Sequence, residues 1–361
     1  MRVSRPALPA LERYSERLHG VWDGAMLSND GPQARAFERA FARYSGVQGA
    51  VLAASNCDVA LTLLVAAVGP ARGTRAVLPS LSYPSLLHAV QWNGLRPYFL
   101  DVDPHDWCLH AEQLDGQLEG GELILATHMF GAPCDVVGLE RLAREQGCTL
   151  ILDAAQAVAT WVGGRHVADY GDGSAISFSG TKAATCAEGA IVVVECERAA
   201  RELALLRRSG IDGGGASVGL GLNAKLSELH AALGLLTLED LDEQVSLRDD
   251  LAARYRELLS GRDGVALQRI PDGARATPTY FVAELGPARD RARSALAAEG
   301  IESRPYFPAL HRTPRLADVG GAPLPVTERL DAGLLALPLH ASVTPEIVQE
   351  TCEIVVDQLE R

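Results

Sequence analysis

Residues 150–157 read LILDAAQA, an apolar run that ends in the carboxylate of Asp153. A carboxylate at the mouth of an apolar strand is costly to desolvate unless it meets a cation. Further along, residues 174–182 read SAISFSGTK, a second apolar run followed by Lys182. In sheets of parallel strands, ligands bind beyond the carboxyl ends of the strands. The two stretches therefore predict a site in which an acid and a lysine face one ligand.

Between residues 49 and 195, short apolar runs alternate with segments of helical period, among them Val59–Val68, Leu86–Trp92 and Val137–Gln146. Near-continuous apolar strands joined by helical crossovers are typical of parallel sheets buried on both faces. We therefore predict an α/β fold with a mostly parallel seven-stranded sheet and helices on both faces. The predicted strands are Gly49–Ala54, Arg75–Leu78, Arg96–Val102, Glu122–Thr127, Thr149–Asp153, Ser174–Phe178 and Ala190–Val194.

The length of 361 residues predicts about two domains, at roughly 150 residues per domain. We place the boundary near residue 245, between a large domain (1–245) that opens with a polar helix in residues 1–18 and a small α+β domain (246–361). The remaining predicted elements are a Gly-rich loop, mobile or merely permissive, at Ser209–Gly221, a helical run at Ala224–Leu259, a strand at Thr279–Leu285, and helices at Pro287–Glu299 and Pro345–Leu359.

Composition excludes several classes of protein. The net charge of −13, with no basic stripe, argues against nucleic-acid binding. Seven scattered cysteines without a C-x-x-C pair indicate a cytoplasmic protein without a zinc site, and nine histidines without ligand-like spacing give no support for a metal. No apolar run is long enough to span a bilayer, so we expect neither a secreted nor a membrane protein.

Lysine is rare, since Lys182 and Lys225 are the two lysines among 33 basic residues. Pyridoxal phosphate (PLP) chemistry needs a lysine that holds the cofactor aldehyde as a Schiff base, an acid at the ring nitrogen and a cup for the phosphate. Lys182 and Asp153, with Tyr83 upstream, are candidates for such a site. Taken alone, Asp153 is also typical of a helix N-cap. The S-x-x-K pattern at residues 179–182 lacks the K-T-G element of serine acyl-transferases.

The order of several further segments resembles the PLP-dependent sugar aminotransferases of fold type I, the DegT/DnrJ/StrS group. The resemblance covers nearly the whole chain, and it implies the fold, the cofactor and transamination. The matching segments are MLSNDGP (26–32), SNCDVAL (55–61), PSLSY (79–83), FLDVDP (99–104), HMFG (128–131), DAAQ (153–156), SFSGTK (177–182), LNAKLSEL (222–229) and LPL (337–339).

The resemblance implies roles for individual residues around the cofactor ring. Lys182 is expected to form the Schiff base and then to move a proton between the substrate carbon and the cofactor. Asp153 is expected to pair with the ring nitrogen, Gln156 to lie by the ring hydroxyl, and Tyr83 to stack on the ring face.

Phosphate binding is expected from Ser177 and from Asn56, Cys57 and Asp58 at the start of the Val59–Val68 helix, whose N-terminal dipole favours an anion. Asp58 departs from the family pattern, which usually has a hydroxyl residue there. A carboxylate at this place repels a phosphate unless it turns away and serves as an N-cap. Two further departures, Ala183 and Ala190, suggest a divergent substrate.

In this family the stretch that contains Asn223 reaches across a dimer interface to the neighbouring subunit's phosphate. The resemblance therefore implies a homodimer with composite active sites. Lys225 is expected to act in the same stretch, although an ion pair with Glu228 is an alternative. Other candidate substrate residues are Ser28, Glu188 and His311, the last because RPYFP (304–308) with His311 resembles perosamine-type members.

The predicted reaction moves an amino group, with L-glutamate as the expected donor, through pyridoxamine phosphate to a keto-sugar that is nucleotide-linked, or to a related cyclic ketone. One alternative is a PLP-dependent lyase or dehydratase of the same fold, but members that dehydrate their sugar tend to lose the lysine. The other alternative is a non-catalytic cofactor-binding relative, with Asp58 as the sign of a decayed phosphate cup.

Overall fold

The computed structural model describes residues 1–306, 308–313 and 319–360, so Phe307 of the RPYFP segment lies outside the described residues. The described residues form twelve α-helices. These are α1 Leu11–Gly24, α2 Pro32–Ser45, α3 Cys57–Val68, α4 Pro84–Trp92, α5 Ala111–Leu114, α6 Val136–Gln146, α7 Glu197–Leu206, α8 Glu228–Glu239, α9 Leu241–Leu259, α10 Arg289–Ala298, α11 Pro325–Gly333 and α12 Pro345–Leu359.

The β-strands fall into three sheets. In chain order they are β1 Ala50–Ala54, β2 Arg75–Pro79, β3 Arg96–Leu100, β4 Leu123–Thr127, β5 Thr149–Asp153, β6 Trp161–Val162, β7 Arg165–His166, β8 Gly173–Ser177, β9 Ala190–Val194, β10 Ala266–Leu267, β11 Ala274–Arg275, β12 Phe281–Glu284, β13 Arg304–Pro305, β14 Gly320–Gly321 and β15 Leu334–Leu337.

The largest sheet contains all seven predicted strands, in the order β1-β9-β8-β5-β4-β2-β3, and a two-residue strand, β14, adds an eighth at the edge next to β3. The pairs from β8 to β3 are parallel, and β9 runs antiparallel to both β1 and β8. The predicted α/β fold with a mostly parallel sheet is confirmed. The carboxyl ends of β2, β4, β5 and β8 therefore lie at one edge, where the predicted site residues follow them.

Helices cover both faces of this sheet because its strands are apolar on both sides. Along β5, Ile151 packs into the core under α3 and α4, whereas Leu150 and Leu152 pack into the core on the opposite face, with α6. A third core joins α2 and α8 to the sheet, with Phe37 and Phe41 buried in it. Burial on both faces explains why the strands read as continuous apolar runs.

The C-terminal residues build a separate antiparallel sheet in the order β10-β12-β15-β13, packed with α9, α10 and α12 around their own core. The third sheet, β11-β6-β7, links this part of the chain to the loop after β5. The predicted domain boundary near residue 245 falls within α9 and stays a prediction. No helix among the described residues is long and apolar enough to cross a bilayer.

Two predictions about the bounds of helices are wrong. Residues 1–10 are not helical, and α1 begins at Leu11, since Pro6 and Pro9 interrupt the segment and Val3 is buried instead. The helical run Ala224–Leu259 is two helices, α8 and α9, separated at Asp240, which ends the first and begins the second. The Gly-rich stretch Ser209–Gly221 contains no helix or strand, as predicted.

Candidate active site

Asp153 ends β5 and is 2% exposed. Its Oδ1 accepts a 3.0 Å hydrogen bond from the backbone N–H of Ala155. Burial raises the pKa of Asp153 to about 6, although the Ala155 N–H and the amine of Lys182 oppose the rise. No helix begins at Asp153, so the N-cap alternative is wrong. The carboxyl group is thus a buried acid without a full counter-charge, suited to a cationic partner.

Lys182 lies not at the end of β8 itself but in the turn after it, where its N–H donates to the carbonyl oxygen of Ser179. Its Nζ lies 5.7 Å from the centre of the Tyr280 ring. Ser177, the last residue of β8, is buried, and its Oγ accepts a hydrogen bond from the Ser179 N–H at 3.3 Å. Because β8 lies next to β5, Lys182, Ser177 and Asp153 lie at one edge of the sheet.

Gln156 is buried in the turn that follows β5. Its backbone carbonyl accepts a 2.7 Å hydrogen bond from Thr279 Oγ1. The side-chain Oε1 is buried, and no described residue donates to it. Gln156 lies against the buried phenol of Tyr306, whose pKa is raised by burial. An acceptor with no donor in this buried position is available to a ligand hydroxyl.

The start of α3 faces the same group of residues. Asn56 caps the helix through its Oδ1, which accepts from the Val59 N–H at 2.9 Å. The N-cap alternative for Asp58 is therefore wrong, since Asp58 lies in the first turn and is exposed. Burial raises the pKa of the Cys57 thiol well above its ordinary value, and the neighbouring charges of Asp153 and Lys182 act on it in opposite directions.

Asp58 carries negative charge at this helix start. Partial desolvation raises the pKa of the Asp58 carboxyl, and electrostatic interactions with His88 and Lys182 act in the opposite direction. Tyr83 precedes α4 and is 42% exposed, with a pKa raised by desolvation and by the charges of Asp58, Tyr280 and Glu188. The structure thus brings Asp58, Tyr83 and Glu188 to the same cleft as Lys182.

Two further predicted residues, Asn223 and Lys225, lie in the segment that precedes α8. Asn223 is exposed, and its Oδ1 accepts a 2.6 Å hydrogen bond from Lys225 Nζ. The ion pair between Lys225 and Glu228 is not formed, because Glu228 is buried and accepts from the backbone N–H groups of Gln33 and Ala34 at the start of α2. The carbonyl oxygen of Ala224, between these two residues, accepts a 2.8 Å hydrogen bond from the backbone N–H of Ser55, just before α3.

Ser28 and His311 are the two remaining predicted substrate residues. Ser28 is half-buried in the loop between α1 and α2, without a described contact to Lys182. His311 is held to the end of β2, since its Nδ1 lies 2.7 Å from Ser80 Oγ and its backbone N–H donates to the same oxygen at 3.1 Å. Its Nε2 lies 3.9 Å from a carboxylate oxygen of Glu328. His311 is thus fixed at the edge where the site lies.

Sequence reasoning missed Tyr280 and Thr181. The Tyr280 hydroxyl donates to Thr181 Oγ1 at 3.2 Å, beside Lys182. Thr181 had a local signal, because it precedes the lysine. Tyr280 had none, since it reaches the site through the packing of residues 277–280 against the loop after β5.

The family model of the DegT/DnrJ/EryC1/StrS aminotransferase family matches residues 11–356. The chain is 30% identical over 350 residues to the GDP-perosamine synthase of Caulobacter vibrioides, which covers 95% of this chain and 94% of that protein. It is 31% identical over 353 residues to the dTDP-4-dehydro-2,3,6-trideoxy-D-glucose 4-aminotransferase of Saccharopolyspora spinosa, covering 92% and 89%.

Among solved structures, the fold superimposes on DesI, crystallised in the presence of its TDP-sugar product, with a TM-score of 0.91. The two chains are 32% identical, and the match covers 99% of this chain and 92% of DesI. The structural match extends over nearly the whole chain, and so it includes the sheet edge at which Asp153 and Lys182 lie. The chain belongs to the DegT/DnrJ/EryC1/StrS aminotransferase family, and it is a PLP-dependent aminotransferase.

Proposed function

We propose that the protein transfers the amino group of L-glutamate to a keto-sugar linked to a nucleotide. The observation that carries the proposal is the juxtaposition of Lys182 with the buried carboxyl of Asp153 at one edge of the sheet. Relatives named for GDP-, dTDP- and UDP-linked sugars support the substrate class. The same residues are the ones that a sugar aminotransferase needs to bind PLP and to move a proton.

The residues present fit the cofactor. Asp153 is a buried acid whose raised pKa reflects the lack of a cationic partner, and the protonated ring nitrogen of PLP is such a partner. The buried Oε1 of Gln156 has no described donor, and the ring hydroxyl can supply one. Tyr83, partly exposed in the cleft, offers an aromatic face for stacking. We propose these three residues as the ring site.

The phosphate is proposed to bind at the start of α3 with Ser177. Helix N-termini leave backbone N–H groups without intrahelical acceptors, and the Asn56 cap satisfies the one of Val59. The N–H groups of Cys57 and Asp58 therefore remain available to donate to a phosphate. The Asp58 carboxylate weakens this cup, because it places a negative charge in the same turn.

When bound, PLP supplies an electron sink that stabilises negative charge on the substrate carbon next to the amino group. Lys182 is proposed to anchor the cofactor and, once released, to take a proton from that carbon at Nζ and return it. Asp153 keeps a negative charge opposite the ring nitrogen and so holds a proton on it. Glu188, Ser28 and His311 are proposed to contact the substrate.

A homodimer is proposed as the active unit. Four apolar side chains of the stretch before Asn223 are exposed, namely Ile211, Val218, Leu220 and Leu222, and Leu220 is 90% exposed. Clustered exposed apolar residues mark contact surfaces. In a dimer formed through this patch, Asn223 and Lys225 would serve the phosphate site of the second copy.

A cytoplasmic location is also part of the proposal. All seven cysteines are free, and five of them are buried, which fits a reducing compartment. Fractionation of the source cells, with the protein followed by antibody, tests this location. Recovery from an oxidising compartment would contradict it.

The substrate is tested by incubating the PLP-loaded protein with L-glutamate and a panel of GDP-, dTDP- and UDP-linked 3-keto and 4-keto hexoses. We expect 2-oxoglutarate and an amino sugar to form in equal amounts with a member of this panel. L-Aspartate and L-alanine serve as donor controls. Formation of an unsaturated sugar without consumption of the donor would instead indicate dehydration.

A further inference from the structure

Tyr280 places an aromatic ring beside the amine of Lys182. The ring centre lies 5.7 Å from Lys182 Nζ, within the range of about 6 Å at which an ammonium is attracted to the face of a ring. The ring belongs to a residue just before β12, and its hydroxyl donates to Thr181 Oγ1 at 3.2 Å. Tyr280 therefore contacts both the lysine and the residue that precedes it.

Among the described residues, no carboxylate forms an ion pair with Lys182. No carboxylate oxygen of a described residue lies within 4.0 Å of Lys182 Nζ, although Asp153 and Asp58 act on it electrostatically from farther away. A half-buried ammonium loses hydration, and a ring face compensates part of the loss. Tyr280 is thus a described aromatic group within cation–π range of the amine.

Buried hydrogen bonds hold the segment that carries Tyr280. Thr279 is buried, and its Oγ1 donates to the carbonyl oxygen of Gln156 at 2.7 Å. Arg248, 1% exposed on α9, donates from Nη1 to the carbonyl oxygens of Thr279 and Leu339 at 3.2 and 3.1 Å. The segment is therefore fixed to the large sheet and to α9 at the same time, immediately before Tyr280.

A second ring supports the first. Phe130 packs edge-on against Tyr280, with ring centres 6.5 Å apart, and it adopts a left-handed backbone conformation with φ of 57°. The next residue, Gly131, has φ of 99°, and a Cβ there would overlap the carbonyl oxygen of Thr277. Left-handed backbone at a non-glycine residue costs energy and persists where packing requires it. The close approach of residues 130–131 to 277 thus sets the place of the Tyr280 ring.

We propose that Tyr280 is a positioning residue that holds the Lys182 side chain against its ring whenever the lysine is not bonded to the cofactor, first as the neutral amine that takes the proton and then as the ammonium that returns it. The inference rests on the proposed function, in which Lys182 is released and then exchanges a proton with the substrate carbon. A free lysine samples many rotamers, and the ring keeps Nζ near the place where the proton is exchanged. Thr181 fixes the ring through the Tyr280 hydroxyl.

The first test uses the cofactor-free protein and so does not depend on the reaction. The chain contains two lysines, so ¹³C-labelled lysine gives two side-chain environments, which Lys225→Arg assigns. We expect nuclear Overhauser contacts between the Lys182 Hε protons and an aromatic ring in the wild type and in Tyr280→Phe. Tyr280→Leu should lose them. Absence of these contacts in the wild type would overturn the proposal, whatever the variants do.

The second test measures the donor half-reaction of the PLP-loaded variants. Tyr280→Phe keeps the ring and should react within about twofold of the wild type, whereas Tyr280→Leu should lower the rate constant about tenfold with an unchanged KM for the donor. Thr181→Val removes the same hydrogen bond as Tyr280→Phe but keeps the ring, so we expect its rate to stay within about twofold of the wild type as well. Thermal unfolding checks that each variant is folded.

The two tests separate the possible failures. A wild type that shows the lysine–ring contacts but does not react with L-glutamate contradicts the proposed function and leaves the position of Lys182 intact. A reacting enzyme in which Tyr280→Leu matches the wild type in rate contradicts the role of Tyr280. If Tyr280→Leu does not fold, the lysine–ring contacts in the wild type decide, and their absence overturns the proposal.

Discussion

Asp153 and Lys182 interact electrostatically across the gap between β5 and β8: the lysine amine lowers the pKa of a carboxyl that burial has raised to about 6. Asp153 is the last residue of β5 and Lys182 lies in the turn after the adjacent strand β8, so the sheet places the two residues at the same edge. Proton transfer at a cationic ring requires an acid and a base that lie close together. The buried Asp153 and the half-buried Lys182 meet this requirement.

Replacing Lys182 tests its chemical role. We expect Lys182→Ala to abolish transamination while the melting temperature stays within a few degrees, since a half-buried residue in a turn contributes little to the core. Lys182→Arg keeps the positive charge and should be equally inactive, because a guanidinium does not form the bond to the cofactor. Turnover by Lys182→Ala would contradict the mechanism.

The charge of Asp58 is expected to weaken phosphate binding. Removing a repulsion on the order of 1 kcal/mol lowers the Kd for PLP about fivefold in Asp58→Thr. Asp58→Asn, which keeps the shape and removes the charge, should give most of the same gain. The Kd is measured by quenching of intrinsic fluorescence. An unchanged Kd in both variants would mean that the carboxylate faces away from the phosphate.

The raised pKa of Asp153 makes the stability of the cofactor-free protein depend on pH. The pKa of Asp153 in the folded protein, about 6, exceeds its ordinary value of 3.8. The protonated carboxyl therefore contributes stability that is fully present below about pH 4 and is lost as the pH rises through 6. Relative to Asp153→Asn, the free energy of unfolding of the wild type should fall by up to about 3 kcal/mol between pH 4 and 7. Urea denaturation at a series of pH values measures the free energy of unfolding. The same pH dependence in the wild type and in Asp153→Asn would contradict the burial of the Asp153 charge.

Gly131 is expected to be essential for the close approach of the two parts of the chain. Gly131→Ala combines a positive φ with an overlap at the Thr277 carbonyl and should cost about 3 kcal/mol or more of unfolding free energy. Gly73→Ala is the matched control, because Gly73 also has a positive φ but nothing lies near its added Cβ, so its cost should be about 1 kcal/mol. Equal losses of unfolding free energy in the two variants, measured by urea denaturation, would contradict the close approach of Gly131 to Thr277.

Composite sites are tested by mixing inactive variants. If Asn223 serves the partner's site, a hybrid of Lys182→Ala and Asn223→Ala protomers contains one intact site. Activity should then appear on mixing, after subunit exchange, in proportion to the hybrid fraction. An Asn223→Ala variant that loses activity but is not complemented would place Asn223 in its own subunit's site.

The strands and their polar ends could be predicted from the sequence because buried parallel strands are continuous apolar runs and Asp153 interrupts one of them. Lys182 was noticeable because lysine is so rare in this chain. Tyr280 was not predictable, because its place depends on hydrogen bonds between residues far apart in the sequence, such as Thr279 with Gln156. The helix break at Asp240 was missed for a related reason, since neither glycine nor proline marks it.

The central claim is that Lys182 and Asp153 hold PLP for transamination. The most direct measurement is the absorbance spectrum of the purified protein with PLP, before and after the addition of L-glutamate. We predict a visible band that gives way to a near-ultraviolet band of pyridoxamine phosphate, and no such visible band in Lys182→Ala. A wild-type protein that forms no visible band would contradict the claim and favour a non-catalytic relative with a decayed phosphate cup.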